Sequence, residues 1–438
     1  MTDHSPSQNP YQPSAVPVDP KRQGTMFAFV LLFLLYFFDY ADRMVVNSLF
    51  PFLKEDWQLT DKECGLLVSV VYGTIFVTTV PISIVVDRWS RKKSIAIMAI
   101  FWSIATAAGG FAKNFPQLLA SRIAIGVGEA GYAPGGTAML SGLFPPERRS
   151  LMMGIWNAAI PLGAATGIAL GGYVAQHYGW RHAFGLVALP GLVVSILFFF
   201  VRDYKTVDLV SGQGANAGKR LSFGEIADRF LKTPSLLFTY VAFAANTFVT
   251  TALITWLPTF FHRVEGLEMS KAGVKGSAVM LLAIIGAPLG GFLVDRWLKN
   301  QKNARPLFAG GTAVLAGIIF AVAFIGLRGM SGFQYGAILL GGLVAVAYVP
   351  AAAAITQDVV HPGLRAVSYS LCVVVQNMLG SFTAPVAIGA ISDAYGIDIA
   401  LAVLPAFSIL SGCLFLAASR FYVNDLARVD AVATELES

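Results

Sequence analysis

Three ionisable side chains interrupt the first long apolar stretch of the chain. Asp39, Asp42 and Arg43 lie within the run from Met26 to Phe50, which is long enough to cross a bilayer as a helix. A charge at that depth costs several kcal/mol unless it faces a partner or a water-filled cavity. Because holding a helix in a membrane requires none of them, we expect these side chains to carry function and to have partners elsewhere in the chain.

The fourth apolar stretch supplies candidate partners. Arg122, Gly126 and Glu129 follow one another at spacings of four and three residues, so they share one face of a helix. On the first stretch, Asp39 and Arg43 are four residues apart and can form an ion pair. At about 1.5 Å per residue, Asp39 and Glu129 fall near the middle of the membrane, whereas Arg43 and Arg122 share a level nearer its outer side.

This cluster suits proton coupling. Burial and a neighbouring arginine act in opposite directions on the pKa of a carboxyl group, so such a group can titrate near neutral pH. We predict that Glu129 is the main proton carrier and that Asp42 and Asp39 are coupled to it. A static ion-pair lock between the two stretches is the alternative, although five charges are more than a lock requires.

Composition identifies an integral membrane protein. Of the 438 residues, 56% are hydrophobic and 13% are charged, against about 45–50% apolar and about 25% charged in soluble domains. Twelve apolar stretches approach the roughly 20 residues that a membrane helix needs, which predicts an all-α membrane protein with twelve transmembrane helices.

The net charge of +6 follows membrane topology rather than nucleic-acid binding. Three widely spaced cysteines predict no disulfide framework and no metal site, and we expect no cofactor.

The polar segments predict the domain organisation. We expect a disordered N-terminal tail (1–25), a first six-helix half (26–201), a central loop (202–234), a second six-helix half (235–421) and a C-terminal tail (422–438). The central loop combines a glycine-rich linker with a capping box, which predicts a short amphipathic helix on the membrane surface; a strut that packs between the halves is the alternative. Lysine and arginine are concentrated on the side of the tails, so both termini are predicted to be cytoplasmic, in a plasma or inner membrane.

An internal repeat points to two related halves. Asp87-Arg88 follows the second stretch and Asp295-Arg296 follows the eighth, 208 residues later. Twelve spans with Asp-Arg-Trp-Ser-Arg-Lys at 87–92 resemble the major facilitator superfamily, although Ser83 and Ser90 stand where that superfamily usually has glycine.

The chain resembles the spinster family more specifically. Tyr40-Ala41-Asp42-Arg43 is similar to the Tyr-x-Asp-Arg of the first helix of that family. The segment 122–132 resembles its fourth-helix motif Arg-x-x-x-Gly-x-Gly-Glu-Ala-x-Tyr, and 248–258 resembles its seventh helix. The resemblance implies a major facilitator fold in which helices 1, 4, 7 and 10 line a central cavity. It also implies an inner gate, which we assign to Asp87, Arg88, Arg91, Asp295 and Arg296.

In the second half, the seventh, tenth and eleventh apolar stretches of the chain have no acidic residue at mid-depth. They offer uncharged polar and aromatic side chains instead. For any one of them, helix–helix hydrogen bonding is the alternative role. Together with the two arginines, which can hold a phosphate or carboxylate by forked hydrogen bonds, they form the predicted substrate site: Tyr40, Arg43, Arg122, Asn246, Thr250, Trp256, Tyr348, Gln376 and Asn377.

These observations predict a secondary active transporter that acts as a monomer, is proton-coupled and moves an anionic amphiphilic lipid. The spinster resemblance implies a lysophospholipid or a sphingosine-phosphate-like lipid. A carrier of small organic anions, such as sugar acids, or of drugs is the alternative, and a receptor without transport activity is a further one. An enzyme is not expected, since the sequence shows no Ser/His pair, paired catalytic aspartates or metal-ligand cluster, and ATP-driven pumping is not expected because there is no phosphate loop. The direction of transport and the choice between symport and antiport stay open.

Overall fold

The structure is a computed structural model that describes residues 24–88, 90–144, 146–201, 229–361 and 364–437. The predicted N-terminal tail up to residue 23, and most of the amphipathic helix predicted in the central loop, lie outside the described residues; the last part of that helix, 229–231, is described and helical. Within them the chain is helical, and the predicted fold class, twelve transmembrane helices in two halves of six, is confirmed.

The membrane helices are labelled α1 to α12. In the first half they are α1 (Thr25–Met44), which continues as a 3₁₀ turn (Val45–Ser48), α2 (Asp61–Arg88), α3 (Arg91–Gly109), α4 (Phe115–Glu129 and Tyr132–Leu143), α5 (Pro146–Asn157 and Ala159–Tyr178) and α6 (Trp180–Phe198). A short helix, Phe50–Trp57, connects α1 to α2.

The second half repeats this order. Its helices are α7 (Pro234–Val264), α8 (Met269–Leu281 and Ala283–Leu298), α9 (Ala304–Ala321, followed by a π-turn at Val322–Gly326), α10 (Ser331–Ala347 and Val349–Asp358), α11 (Arg365–Gln376, a π-turn at Asn377–Ser381, and Thr383–Tyr395) and α12 (Ile397–Ala402 and Leu404–Glu437).

Ten helices in the described part are long and apolar enough to cross a membrane. The other two are α3 and α4, and in each a local feature shortens the continuous apolar helix. α3 begins with Arg91, Lys92 and Lys93. α4 is interrupted at Ala130–Gly131, directly after Glu129, so neither of its segments reaches the full span.

Capping side chains define where α3 and α4 begin. The hydroxyl of Ser90 accepts a hydrogen bond from the backbone N–H of Lys93, and the side chain of Asn114 accepts one from the N–H of Gln117. These bonds satisfy amide groups that a helix leaves without an internal partner. Since Asn114 fixes the first turn of α4, it also fixes the depth at which Arg122 and Glu129 follow.

A glycine seam brings α5 against α1. A Cβ on Gly163 would clash with the carbonyl oxygen of Phe37, and one on Gly167 would clash with that of Ala41. Gly171 continues the seam, because its Cβ would lie 2.8 Å from the side chain of Val45. Small residues let membrane helices approach closely, so this seam holds in place the helix that carries Asp39, Asp42 and Arg43.

The two halves are closed together at the face opposite the one where α1 begins, which we call the far face. There α5 packs against the first segment of α8, and α2 packs against the last segment of α11. A Cβ on Gly65 of α2 would clash with the carbonyl of Pro385 in α11, and one on Gly172 would lie 2.7 Å from the carbonyl oxygen of Met269. In contrast, the segments Ala283–Leu298 and Arg365–Gln376 pack mainly within the second half.

Candidate functional site

Arg43 is the centre of the buried charge cluster. Its Nε and Nη2 lie 3.1 and 2.8 Å from Oε2 of Glu129, and Nη2 lies 3.1 Å from Oδ2 of Asp39. Arg43, Asp39 and Glu129 are 8%, 2% and 4% exposed. The pair predicted from the four-residue spacing of Asp39 and Arg43 is therefore formed, and α4 contributes a second carboxylate to it.

Arg122 has different partners from those of Arg43. Its Nη1 and Nη2 donate to the carbonyl oxygens of Asp42 and Arg43, at 3.1 and 2.8 Å, and its Nε donates to that of Leu67 in α2, at 3.1 Å. α1 ends at Met44, and the last carbonyls of a helix lack internal partners and attract a positive charge. Arg122 thus caps α1 from α4, and the predicted clamp of two guanidinium groups is not assembled in this conformation.

The three carboxyl groups have more acceptor atoms than the cluster has donors. Asp39 Oδ1, Glu129 Oε1 and both oxygens of Asp42 are buried without a hydrogen-bond partner in the described part of the chain. A buried carboxylate without donors is costly, whereas a protonated carboxyl is neutral and can itself donate. A proton bound to one of these groups would therefore supply a donor that the cluster lacks. No group of three His, Cys, Asp or Glu that could hold a metal occurs among the described residues.

Aromatic rings surround the Arg43 guanidinium. Its Cζ lies 4.6 Å from the ring centre of Tyr40 and 5.6 Å from that of Tyr72, within the range of cation–π attraction. Tyr36 stacks on Trp156 at 4.3 Å, one turn along from Tyr40. Tyr72 is not among the residues predicted from the sequence, because a single tyrosine in an apolar stretch has no spacing pattern that marks it.

A cavity of about 180 Å³ adjoins this aromatic wall and is lined by both halves. The first half contributes Tyr40, Met44 and Tyr72, among others. Most of the lining from the second half is apolar: Leu253, Ile254, Leu257, Val279, Met280, Ala283, Ala345 and Val346. Thr250, a predicted substrate-binding residue, belongs to this lining. Arg43 is thus separated from an apolar cavity by little more than two tyrosine rings.

Other predicted substrate residues lie outside the cavity lining. Trp256 is fully buried, and its indole N–H donates to the carbonyl of Pro385 at 3.1 Å. Tyr348 packs between Phe243 and Phe415, with ring centres 5.1 and 5.7 Å away. Both side chains therefore serve helix packing in this conformation.

The three remaining polar residues of the predicted substrate site lie in three different places. The amide of Asn246 lies 3.5 Å from the carbonyl oxygen of Ala345 and is fully buried. Gln376 bonds to Cys372 Sγ at 3.2 Å and contacts Thr247 at 3.4 Å. Asn377 lines a separate, mostly apolar groove of about 460 Å³ between α2 and α11.

The predicted gate residues are only partly described. Asp295 and Arg296 are exposed at the end of α8, where they line an open depression with Lys299. They make no hydrogen bond or ion pair with the residues that the structure describes. Asp87 and Arg88 end α2 and Arg91 begins α3, but their side chains lie outside the described part, so the gate stays a prediction.

The chain matches known transporters along most of its length. The model of the Major Facilitator Superfamily matches residues 32–385. The hexuronate transporter of Bacillus subtilis (strain 168) is 28% identical over 337 residues, which cover 76% of this chain and 79% of that protein. Sphingosine-1-phosphate transporter SPNS2 of Mus musculus is 26% identical over 431 residues, covering 91% and 78%. Protein spinster of Drosophila melanogaster is 25% identical over 379 residues, covering 84% and 62%.

Solved structures share the fold. A bacterial homolog of the human lysosomal transporter spinster, in an inward-facing and unoccupied conformation, superimposes with a TM-score of 0.81 at 21% identity, covering 92% of this chain and 98% of that one. The D-xylose-proton symporter gives a TM-score of 0.69 at 14% identity, covering 89% and 97%. At these identities the likeness concerns the fold alone.

Proposed function

Because the chain belongs to the major facilitator superfamily of membrane transporters and resembles its spinster family, we propose that it is a proton-coupled secondary transporter of an anionic amphiphilic lipid. A lysophospholipid or a sphingosine-phosphate-like lipid has the required chemistry. The observation that carries this proposal is the position of the Arg43 cluster against a cavity whose walls are mainly apolar. A charged site and an apolar site side by side suit a headgroup and a tail.

In this proposal Arg43 binds the headgroup. A guanidinium group binds phosphate or carboxylate through charge-assisted hydrogen bonds in a planar fork. Arg43 is more suitable than Arg122, since Arg122 is fully buried and already donates to three carbonyl oxygens. Tyr40 and Tyr72 line the cavity beside Arg43 and would offer their hydroxyl groups to the same headgroup. The apolar wall from α7, α8 and α10 would contact the tail.

Proton coupling would follow from competition for Arg43. In this conformation Arg43 is occupied by Glu129 and Asp39, so an anionic headgroup has to displace at least one carboxylate. A carboxylate that loses its arginine inside the protein is stabilised by taking up a proton. We therefore propose that binding of the anion and protonation of the cluster favour each other, with Glu129 as the main proton carrier and Asp39 and Asp42 as its neighbours.

A carrier of small organic anions is the second candidate. It is favoured by the 28% identity to the hexuronate transporter, and Arg43 would suit a sugar carboxylate as well as a phosphate. A sugar acid carries several hydroxyl groups that need hydrogen-bond partners, and Tyr40, Tyr72 and Thr250 supply few of them in this cavity. The lipid proposal therefore agrees better with the cavity walls.

Flux measurements in proteoliposomes separate the two candidates. Purified protein is reconstituted under an imposed pH gradient and given a lysophospholipid, a sphingosine-phosphate-like lipid and a hexuronate in parallel. Gradient-driven movement of a lipid, without competition from the hexuronate, is expected. Saturable hexuronate flux that the lipids do not inhibit would favour the second candidate.

Topology and assembly complete the proposal. We propose that both termini are cytoplasmic, in a plasma or inner membrane, and that segments 26–201 and 235–421 rock against each other. We propose that the transporting unit is a monomer. Labelling of single cysteines with an impermeant reagent in intact cells tests the orientation: positions in the C-terminal tail should be protected until the cells are permeabilised.

A further inference from the structure

A second buried carboxylate lies at the far face, well away from the Arg43 cluster. Asp61 is the first residue of α2, and its side chain is only 2% exposed. It accepts two hydrogen bonds from the Arg263 guanidinium, both at 2.7 Å, and one from the Ser392 hydroxyl at 2.6 Å. Lys54 donates a further bond to it at 2.6 Å. Arg263 ends α7 and Ser392 belongs to α11, so the carboxylate joins the first half to the second.

A carboxylate of the second half also binds the first half. The carboxylate of Asp393 in α11 accepts hydrogen bonds from the backbone N–H groups of Asp61 and Lys62, at 2.7 and 2.9 Å. Thr60 and Glu63 form a capping box at the same helix start, which leaves those two amide groups for Asp393. A carboxylate at a helix N-terminus is favourable because the free amide groups and the helix dipole attract negative charge. The second half therefore caps a helix of the first half.

The charges are balanced within each half. Lys54 and Asp61 belong to the first half, and Arg263 and Asp393 belong to the second. Lys54 already contacts Asp61, and Arg263 and Asp393 both adjoin Asp61, Arg263 through its carboxylate and Asp393 through its backbone N–H. If the halves separated, each half could keep one cation paired with one anion, and no charge would be left without a partner.

We propose that these four residues form a latch that exchanges partners during transport. When the far face is closed, Asp61 binds Arg263 and Asp393 caps α2. When it opens, Asp61 keeps Lys54, and Arg263 turns to Asp393. The latch would hold the far face closed without making its opening prohibitively costly. This inference concerns the alternation of the fold and does not depend on the identity of the substrate.

Spin-label distances across the far face test the latch on the full-length protein in lipid nanodiscs. Labels are placed at the exposed positions Glu55, in the first half, and Tyr395, in the second, in a Cys413→Ser background. Asp61→Asn should raise the population with the longer distance by about tenfold, a typical size for conformational coupling. Lys54→Gln should lower that population, because it removes the partner that Asp61 keeps when the halves separate. Asp56→Asn is the control, since Asp56 pairs with Arg181 inside the first half.

The opposite signs of the two variants distinguish a latch from a general stabilising contact. In an Asp61→Asn background, Lys54→Gln should have no further effect, because the shared partner is gone. An unchanged distance distribution in Asp61→Asn, or a shift of both variants in the same direction, would overturn the proposal. Should Asp61→Asn fail to fold, Arg263→Gln removes the same link from the other half and is expected to give the same shift. If the wild-type protein moved no lipid in proteoliposomes while the variants shifted the distances as expected, the proposed function would be wrong and the latch would stand.

Discussion

Arg43 contacts one oxygen of Glu129 through two nitrogens, donating a hydrogen bond from Nε at 3.1 Å and placing Nη2 at 2.8 Å, and leaves the other oxygen without a donor. The arginine is therefore committed to Glu129 in this conformation, yet half of that carboxylate lacks a hydrogen-bond partner. Glu129 has one oxygen held by Arg43 and one oxygen without a donor, so it is suited to exchange Arg43 for a proton. The proposed proton coupling depends on this exchange.

Glu129→Gln tests the proton carrier. Glutamine keeps the size of the side chain and can still accept a hydrogen bond from Arg43, but it cannot carry a proton. We expect the variant to fold and to lose flux driven by a pH gradient in proteoliposomes. Glu55→Gln, at an exposed position of the helix that connects α1 to α2, is a matched control that should retain this flux. Equal gradient-driven transport by wild type and Glu129→Gln would show that another group carries the proton.

Calorimetry tests the link between anion and proton. If the headgroup displaces Glu129 or Asp39 from Arg43, binding at neutral pH should be accompanied by proton uptake. The binding enthalpy should then vary with the ionisation enthalpy of the buffer, with a slope that indicates uptake. The slope should vanish in Glu129→Gln if that residue is the acceptor. Proton release on binding would contradict the competition for Arg43.

Arg122→Ala tests whether this arginine is a cap or a ligand. Truncation leaves three buried carbonyls without their donor, and hydrogen bonds to charged groups are worth about 1.5–3 kcal/mol each. We therefore expect the free energy of unfolding to fall by about 3 kcal/mol or more, seen as a lower melting temperature in detergent. Arg148→Ala, at an exposed position of α5, should have no such effect. Unchanged stability with lost ligand binding would instead favour the two-arginine clamp.

Gly65→Ala tests how the far face closes. Its added methyl group would clash with the carbonyl of Pro385 in the other half, so it should oppose closure and leave each half intact. We expect the same lengthening of far-face distances as for Asp61→Asn, without a large loss of thermal stability. Gly154→Ala is the control, because a Cβ there meets no atom within 4 Å. An unchanged distance distribution would mean that the helices adjust around the methyl group.

Chain length tests the apolar cavity. For a series of one headgroup with growing acyl tails, affinity should rise by roughly 0.8 kcal/mol per buried CH₂ until the cavity is full. Leu253→Trp, which reduces the cavity from the α7 side, should weaken binding of the longer lipids more than that of the shorter ones. Binding that ignores tail length, or tight binding of a sugar acid without a tail, would favour the small-anion alternative.

The sequence predicts the spans and the Asp39–Arg43 pair because both depend on local spacing. Hydropathy marks each helix, and a four-residue interval on one helix fixes which side chains can meet. The partners of Arg122 could not be predicted in the same way, since they are backbone carbonyls, which every residue possesses. Asp61 lies 202 residues from Arg263 and 332 residues from Asp393 in the chain, and no local pattern marks these three residues as partners.

The rotation of α7 about its axis determines which of its predicted substrate residues line the cavity. Trp256 and Thr250 lie on the same helix, yet only Thr250 lines the cavity, whereas Trp256 bonds to α11. Which face of a mainly apolar helix turns towards a cavity depends on how its neighbours pack. α7 is buried around most of its circumference, so its residue pattern gives little indication of its orientation.

The cap that Asp393 places on α2 has a consequence for mutational surveys of this protein. Its donors are the main-chain amides of Asp61 and Lys62, which every residue except proline retains after substitution. A scan that replaces the side chains of α2 one at a time would therefore leave this contact intact and record it as silent. Only a change at Asp393, or proline at the first turn of α2, would reveal it. The side chain in this contact between the halves comes from the second half alone, since the first half contributes only backbone amides.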